Sequence, residues 1–109
     1  MATTYKVLGT SNPAATTATT LYTVPAATST IVSTINVCNQ AALSGSFRIA
    51  IRPAGATLAA NHYIAYDTAI PYNDSIALTM GITLGATDVI TVYASSATMS
   101  FLAFGTEIT

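Results

Sequence analysis

The sequence predicts an all-β fold: a single domain over residues 1–109, built as an antiparallel β-sandwich, jelly-roll-like, with about eight short strands. Three observations predict it. Thr, Val, Ile and Tyr dominate, whereas Lys, Glu, Gln and Arg, which build the polar faces of helices, are nearly absent. Apolar runs are short and stop at small-residue clusters such as Pro13-Ala-Ala-Thr, Pro25-Ala-Ala-Thr, Pro53-Ala-Gly-Ala-Thr and Gly85-Ala-Thr-Asp. Within the runs apolar residues alternate with period two, and no window sustains a period of 3.6. Alanine, the one residue that argues for helix, sits largely in the turn-like clusters.

In chain order, Thr4 to Leu8 reads as a short strand ended by Gly9, and 10–18 as a loop. Thr19 to Val24 follows and stops at Pro25. Thr30 to Cys38 is the longest β-branched run. Its alternation places Ile31, Ile35 and Val37, with Ser33, on a core side, and Val32, Thr34, Asn36 and Cys38 on the other. Ser46 to Arg52 is the clearest strand, with Phe47, Ile49 and Ile51 inward, Arg48, Ala50 and Arg52 outward, and Pro53 as its stop. After a loop over 54–61 come Tyr63 to Ile70 and Ser75 to Met80, the latter with Ile76, Leu78 and Met80 inward and Gly81 as its end. Asp88 to Ala94 and Met99 to Ile108 complete the chain, and the Ser95–Thr98 link between them is short enough for a hairpin. Pro25-Ala-Ala-Thr-Ser and Gly85-Ala-Thr-Asp are similar turns, each launching a β-branched strand, so two strands are expected to enter the two sheets alike.

The charge content bounds function. Three Lys+Arg and four Asp+Glu make up 6% of the 109 residues, against about 25% in an ordinary domain. Three cations cannot supply the phosphate contacts on which nucleic-acid affinity rests, so no nucleic-acid partner is expected. Thr, Ser and Asn break every apolar run before it reaches the ~18 residues of a spanning helix, so no membrane partner is expected either. The opening Met-Ala-Thr-Thr-Tyr-Lys has no basic region followed by an apolar one, and no signal peptide is expected. A net charge of −1 gives little repulsion between copies, which suits a subunit packed against neighbours.

No constellation points to catalysis, a cofactor or a metal. Cys38 is the only cysteine, which rules out an intrachain disulfide and a cysteine-rich metal site; a small buried hydrophobe is expected there. His62 is the only histidine, and its nearest acid, Asp67, falls on the opposite side of a strand at an offset of five. Asp74 and Asp88 stand in turn settings where bonding to nearby backbone accounts for them. No Gly-x-Ser-x-Gly elbow or glycine-rich phosphate loop occurs. Protein contact is the better expectation. Arg48 and Arg52 share one strand face and form either a local positive interface anchor or internal partners for Asp67 or Glu107. Tyr63, Tyr66 and Tyr72, with His62, make the most aromatic stretch of the chain, a composition that serves subunit interfaces and sugar-binding surfaces.

Three stretches carry a resemblance. They are Leu21-Tyr-Thr-Val-Pro-Ala-Ala-Thr-Ser continuing to Ile-Val-Ser-Thr-Ile-Asn-Val-Cys-Asn39, Ser46-Phe-Arg-Ile-Ala-Ile-Arg-Pro53, and Ile82-Thr-Leu-Gly-Ala-Thr-Asp-Val-Ile-Thr-Val-Tyr-Ala-Ser95, with a close at Gly105-Thr-Glu-Ile108. From about Tyr5 to the end the chain resembles small β-sandwich virion proteins of tailed bacteriophages. The resemblance implies a non-enzymatic structural role, first as a capsid decoration (cement) subunit. Such a subunit forms a homo-oligomer, expected as a trimer, on the capsid surface and stabilises contacts between major capsid proteins, after assembly in the host cytoplasm. The alternative it implies is a tail, neck or fibre module that binds a receptor or carbohydrate. It brings no catalytic residues to carry over.

Overall fold

β-Branched runs punctuated by turns fold into strands that bury one side each, and the computed structural model describes residues 2–109. The strands are β1 (Thr3–Ser11), β2 (Thr19–Thr23), β3 (Ser29–Asn39), β4 (Gly45–Arg52), β5 (Tyr63–Ile70), β6 (Ser75–Leu78), β7 (Ile82–Leu84), β8 (Val89–Ala94) and β9 (Met99–Ile108). Two antiparallel sheets pack face to face. The first has the order β1-β9-β3-β6, with β7 also paired to β3, and the second has the order β2-β8-β4-β5. With β6 and β7 counted as one interrupted lane, the chain fills eight lanes and passes back and forth between the sheets. The β4–β5 connection alone joins neighbours of the second sheet. This winding is that of a jelly roll.

The core lies between the sheets, where Val32, Ile35, Val37 and Phe101 of the first meet Phe47, Ile49, Ile90 and Val92 of the second, all at most 1% exposed. Phe47 and Phe101 meet edge to face across the gap, centroids 6.2 Å apart at 73°.

β3 departs from simple alternation, and the departure explains several differences. Its register with β9 shifts between Val32 and Thr34, so Ser33 is an extra residue. Before the bulge Thr30 and Val32 point inward; after it Ile35, Val37 and Asn39 do. Ile31, expected in the core, is 45% exposed, and Cys38 is half-buried on the outer side of the sheet. The partner strand breaks at the same place: β6 pairs Ile35–Cys38, β7 pairs Thr30–Val32, and Gly81 turns the chain between them at φ 65°. Hence the expected strand to Met80 ends at Leu78, Met80 is exposed rather than inward, and a further short strand follows.

Two links also differ. β1 continues past Gly9 to Ser11, because Gly9 is a close-approach residue at a bulge. A Cβ there would collide with the Leu21 carbonyl of β2. The Ser95–Thr98 link is no hairpin: β8 and β9 belong to different sheets, and the link climbs the end of the sandwich. It is held by Ser95 N donating to Ser46 O (2.9 Å) and Gln40 N donating to Thr98 O (2.9 Å).

The two similar turns lie side by side, joined by Val24 N to Asp88 O (2.9 Å) and Thr87 N to Val24 O (3.1 Å). One launches β3 into the first sheet and the other launches β8 into the second. Asp88 accepts from Gly85 N (2.9 Å) and Asp74 from Ser75 N (2.8 Å), the local bonding expected of both, and Asp88 also accepts from Ala54 N (2.8 Å) of the distant Pro53–Gly55 turn.

Asn39 and Tyr22 carry hydrogen-bonding groups into the interior. Asn39, fully buried at the end of β3, donates to the carbonyls of Leu43 (2.9 Å), Ile70 (3.4 Å) and Pro71 (3.2 Å) and accepts from Ala41 N (3.1 Å). Tyr22 of the second sheet crosses to the first. Its hydroxyl meets Thr30 Oγ1 (2.9 Å) and donates to Glu107 Oε2 (2.5 Å), and Glu107 also holds Lys6 Nζ at 3.3 Å. Among the described residues no helix is long and apolar enough to cross a membrane.

Candidate interface surfaces

The outer face of the second sheet carries Arg48 and Arg52, as the alternation requires, but they do not pool their charge. A register shift between Phe47 and Ile49 sets both Tyr66 and Asp67 of β5 opposite Arg48, with Asp67 in the left-handed region at φ 49°. Arg48 therefore binds Asp67 through two bonds, Nε to Oδ1 at 2.7 Å and Nη2 to Oδ2 at 3.3 Å. Its guanidinium lies between the rings of Tyr66 (4.2 Å) and Tyr93 (4.3 Å). Bonding to Asp67 raises the already high pKa of the guanidinium further, so this group stays charged at every accessible pH. Arg52 turns the other way. Its Nε donates to Thr91 Oγ1 (3.0 Å), and Nη1 donates to the carbonyls of Ala56 (3.0 Å) and Gly55 (3.4 Å), which pins the 3-10 turn Pro53–Gly55.

His62 closes the short turn Ala60–His62: its Nδ1 accepts from Ala59 N (3.1 Å) and its own N–H donates to Ala59 O (3.1 Å). Asp67, the acid nearest to it in sequence, is engaged by Arg48. Tyr63 and Tyr66 meet edge to face, centroids 4.9 Å apart at 82°. Together with Leu58, Ala59 and Ala60 they line an open cleft of about 600 Å³. Tyr72, 62% exposed, stands on the turn after β5 and does not line that cleft. Among the described residues no three His, Cys, Asp or Glu side chains come together.

The other broad side was missed by sequence reasoning. Register across the first sheet sets its outward residues in rows. Tyr5, Thr106, Ile31 and Thr83 form one, and Val7, Phe104 and Thr34 the next. Thr10, Leu102, Asn36 and Ala77 follow, then Ser100, Cys38 and Ser75. No Lys, Arg, His, Asp or Glu stands in any row. Tyr5 is 82% exposed, Val7 50% and Ile31 45%, with Leu102 and Phe104 half-covered between them. Lys6 and Glu107, the charged residues of β1 and β9, fall on the opposite alternation and bond each other. A signal was available: Phe101-Leu102-Ala103-Phe104 is apolar at both parities, as in a strand covered on both sides.

Compared with known protein families, with curated proteins and with solved structures, the chain matches none of them.

Proposed function

We propose that this chain is a non-catalytic structural subunit of a tailed-bacteriophage particle, a decoration subunit on the capsid surface that reinforces the joints between major capsid proteins. The observation that carries the reading is the charge-free outer side of the first sheet. Exposed apolar side chains gathered on one face with no charge among them suit a surface that meets another protein. Covering it stabilises by about 25 cal/mol per Å² of apolar area, a contribution repeated at every copy on a shell. The jelly-roll winding suits the reading, since viral shell domains use it, as lectin domains also do. The residue resemblance at Leu21–Asn39 and Ile82–Ser95 supplies the particle.

The test is stoichiometry and binding. Gel densitometry of purified particles should find this chain in hundreds of copies, and the purified subunit should co-sediment with particles stripped of it. Presence in only a few to a few dozen copies would replace this reading with the second: a tail, neck or fibre module that binds a receptor or carbohydrate. The cleft at Tyr63 and Tyr66 favours that second reading, since tyrosine rings beside a neutralised Arg–Asp pair present both apolar and hydrogen-bonding surface.

A further inference from the structure

The two broad sides of this molecule differ in chemistry, and the difference selects a partner for one of them. Arg48, Arg52 and Asp67 belong to the second sheet, and each is satisfied within the chain. The outer side of the first sheet offers Tyr5, Val7, Ile31, Leu102 and Phe104 among threonines and Asn36, with no ion to meet one. A charged surface laid against it would lose the hydration of its ions and gain no counter-charge. Only an uncharged surface fits without that cost. The chain's own first sheet is such a surface, and it is present at the same concentration.

We infer that the outer face of the first sheet binds the same face of a second copy, about a two-fold axis. This deepens the assembly reading by naming the occupant of its uncharged side, and rests on it only in requiring that side to be covered. Area permits the pairing. The principal extents are 45 × 27 × 20 Å, and a side spanning the two longer ones measures about 1,200 Å². A stable interface needs about 800 Å² from each partner. The polar groups of the face also suit self-contact. The hydroxyls of Thr10, Thr34 and Thr106 both donate and accept, as does the Asn36 amide, so two copies can satisfy each other without an ion. A contact between identical patches closes at two copies and leaves neither uncharged face open to extend a fibre.

Sedimentation equilibrium of the purified full-length chain tests the inference. The wild type should run as a dimer at micromolar concentration. Ile31→Arg and Tyr5→Lys each bring like charges into a water-poor contact and should raise the dissociation constant about 100-fold or more. Both positions are solvent-facing in the single chain, so circular dichroism should stay that of the folded β protein. Tyr72→Lys, off this face, should leave the dimer intact. A wild-type monomer would overturn the inference. So would a trimer, since three copies around an axis cannot meet through one shared patch, or a dimer indifferent to Ile31→Arg and Tyr5→Lys. The assembly reading fails separately: a dimer that never binds stripped particles sinks that reading alone, whereas a monomer that binds them sinks only the pairing.

Discussion

Replacing Tyr22 with Phe removes one oxygen from a side chain that ties Glu107 and Thr30 to the opposite sheet. In the wild type the hydroxyl donates to the Glu107 carboxylate and meets Thr30 Oγ1, which is 1% exposed. Loss of a hydrogen bond to a charged group, with a buried hydroxyl left short of a partner, costs about 2 kcal/mol. For a chain of this length that lowers the melting temperature by about 9 °C. The pH dependence is more telling. Burial first, and the bond to Glu107 second, push the phenol of Tyr22 up to about 12 from 10.0. A folded-state pKa above the unfolded one stabilises fully below pH 10, and that contribution is lost as pH rises toward 12. The wild type should lose stability relative to the variant over that window, by an amount on the order of the whole 2 kcal/mol gap. Urea unfolding of both proteins at intervals from pH 7 to pH 12 reads this directly, since the other titrating groups are common to both and cancel. The gap should be about 2 kcal/mol at pH 7 and close by pH 12. A gap that is absent at pH 7, or constant through the alkaline range, would refute the assignment of Tyr22 as the bridge between sheets.

Other consequences follow from the same interior. The Tyr22 bond, followed by Lys6, holds Glu107 below the usual carboxylate range, so its contribution to stability is present above the unfolded pKa and is lost as pH falls through the folded one. Acid titration of stability should therefore show a component that Glu107→Gln removes. Asn39→Ala leaves the carbonyls of Leu43, Ile70 and Pro71 without their side-chain donor and should cost about 3 kcal/mol by chemical denaturation. Arg48→Ala with Arg52→Ala should leave the domain folded and melting close to the wild type, because both side chains work at the surface. Under the assembly reading it should weaken co-sedimentation with stripped particles; unchanged binding would remove these arginines from the contact.

Much of the architecture was legible because most strands follow their pattern. Ser46 to Arg52 forms its strand with Phe47 and Ile49 buried and Arg48 and Arg52 outward as read, although Ala50, read as outward, is 1% exposed and Ile51 is only half-buried. Pro25 and Pro53 stop their strands as expected. What was hidden lay at bulges, which shift a face by one residue and leave no mark in composition. Ser33 looks like any strand serine, yet as the extra residue of β3 it turns Ile31 outward and Val32 inward and splits the partner lane into β6 and β7. Gly9 looks like a terminator and is a close-approach residue instead. The topology was hidden for a different reason. Four residues from Ser95 to Thr98 suffice for a hairpin or for a step between sheets, and only the lanes already filled by β4 and β3 decide which. The arginine pair shows the same limit. Its shared face follows from alternation, but the Asp67 partner depends on a bulge in the neighbouring strand. The uncharged side needed cross-strand register, because its rows draw on β1, β3, β6, β7 and β9 together.

The central claim is that the outer face of the first sheet lies against protein. Hydroxyl-radical footprinting of tyrosines tests it within one molecule, since Tyr5, Tyr66 and Tyr72 are 82%, 58% and 62% exposed in the single chain. In concentrated solution Tyr5 should be strongly protected while Tyr72 reacts at the rate of an open phenol, and dilution below the dissociation constant should restore Tyr5. Equal reactivity of Tyr5 and Tyr72 at every concentration, and on the assembled particle, would contradict the account.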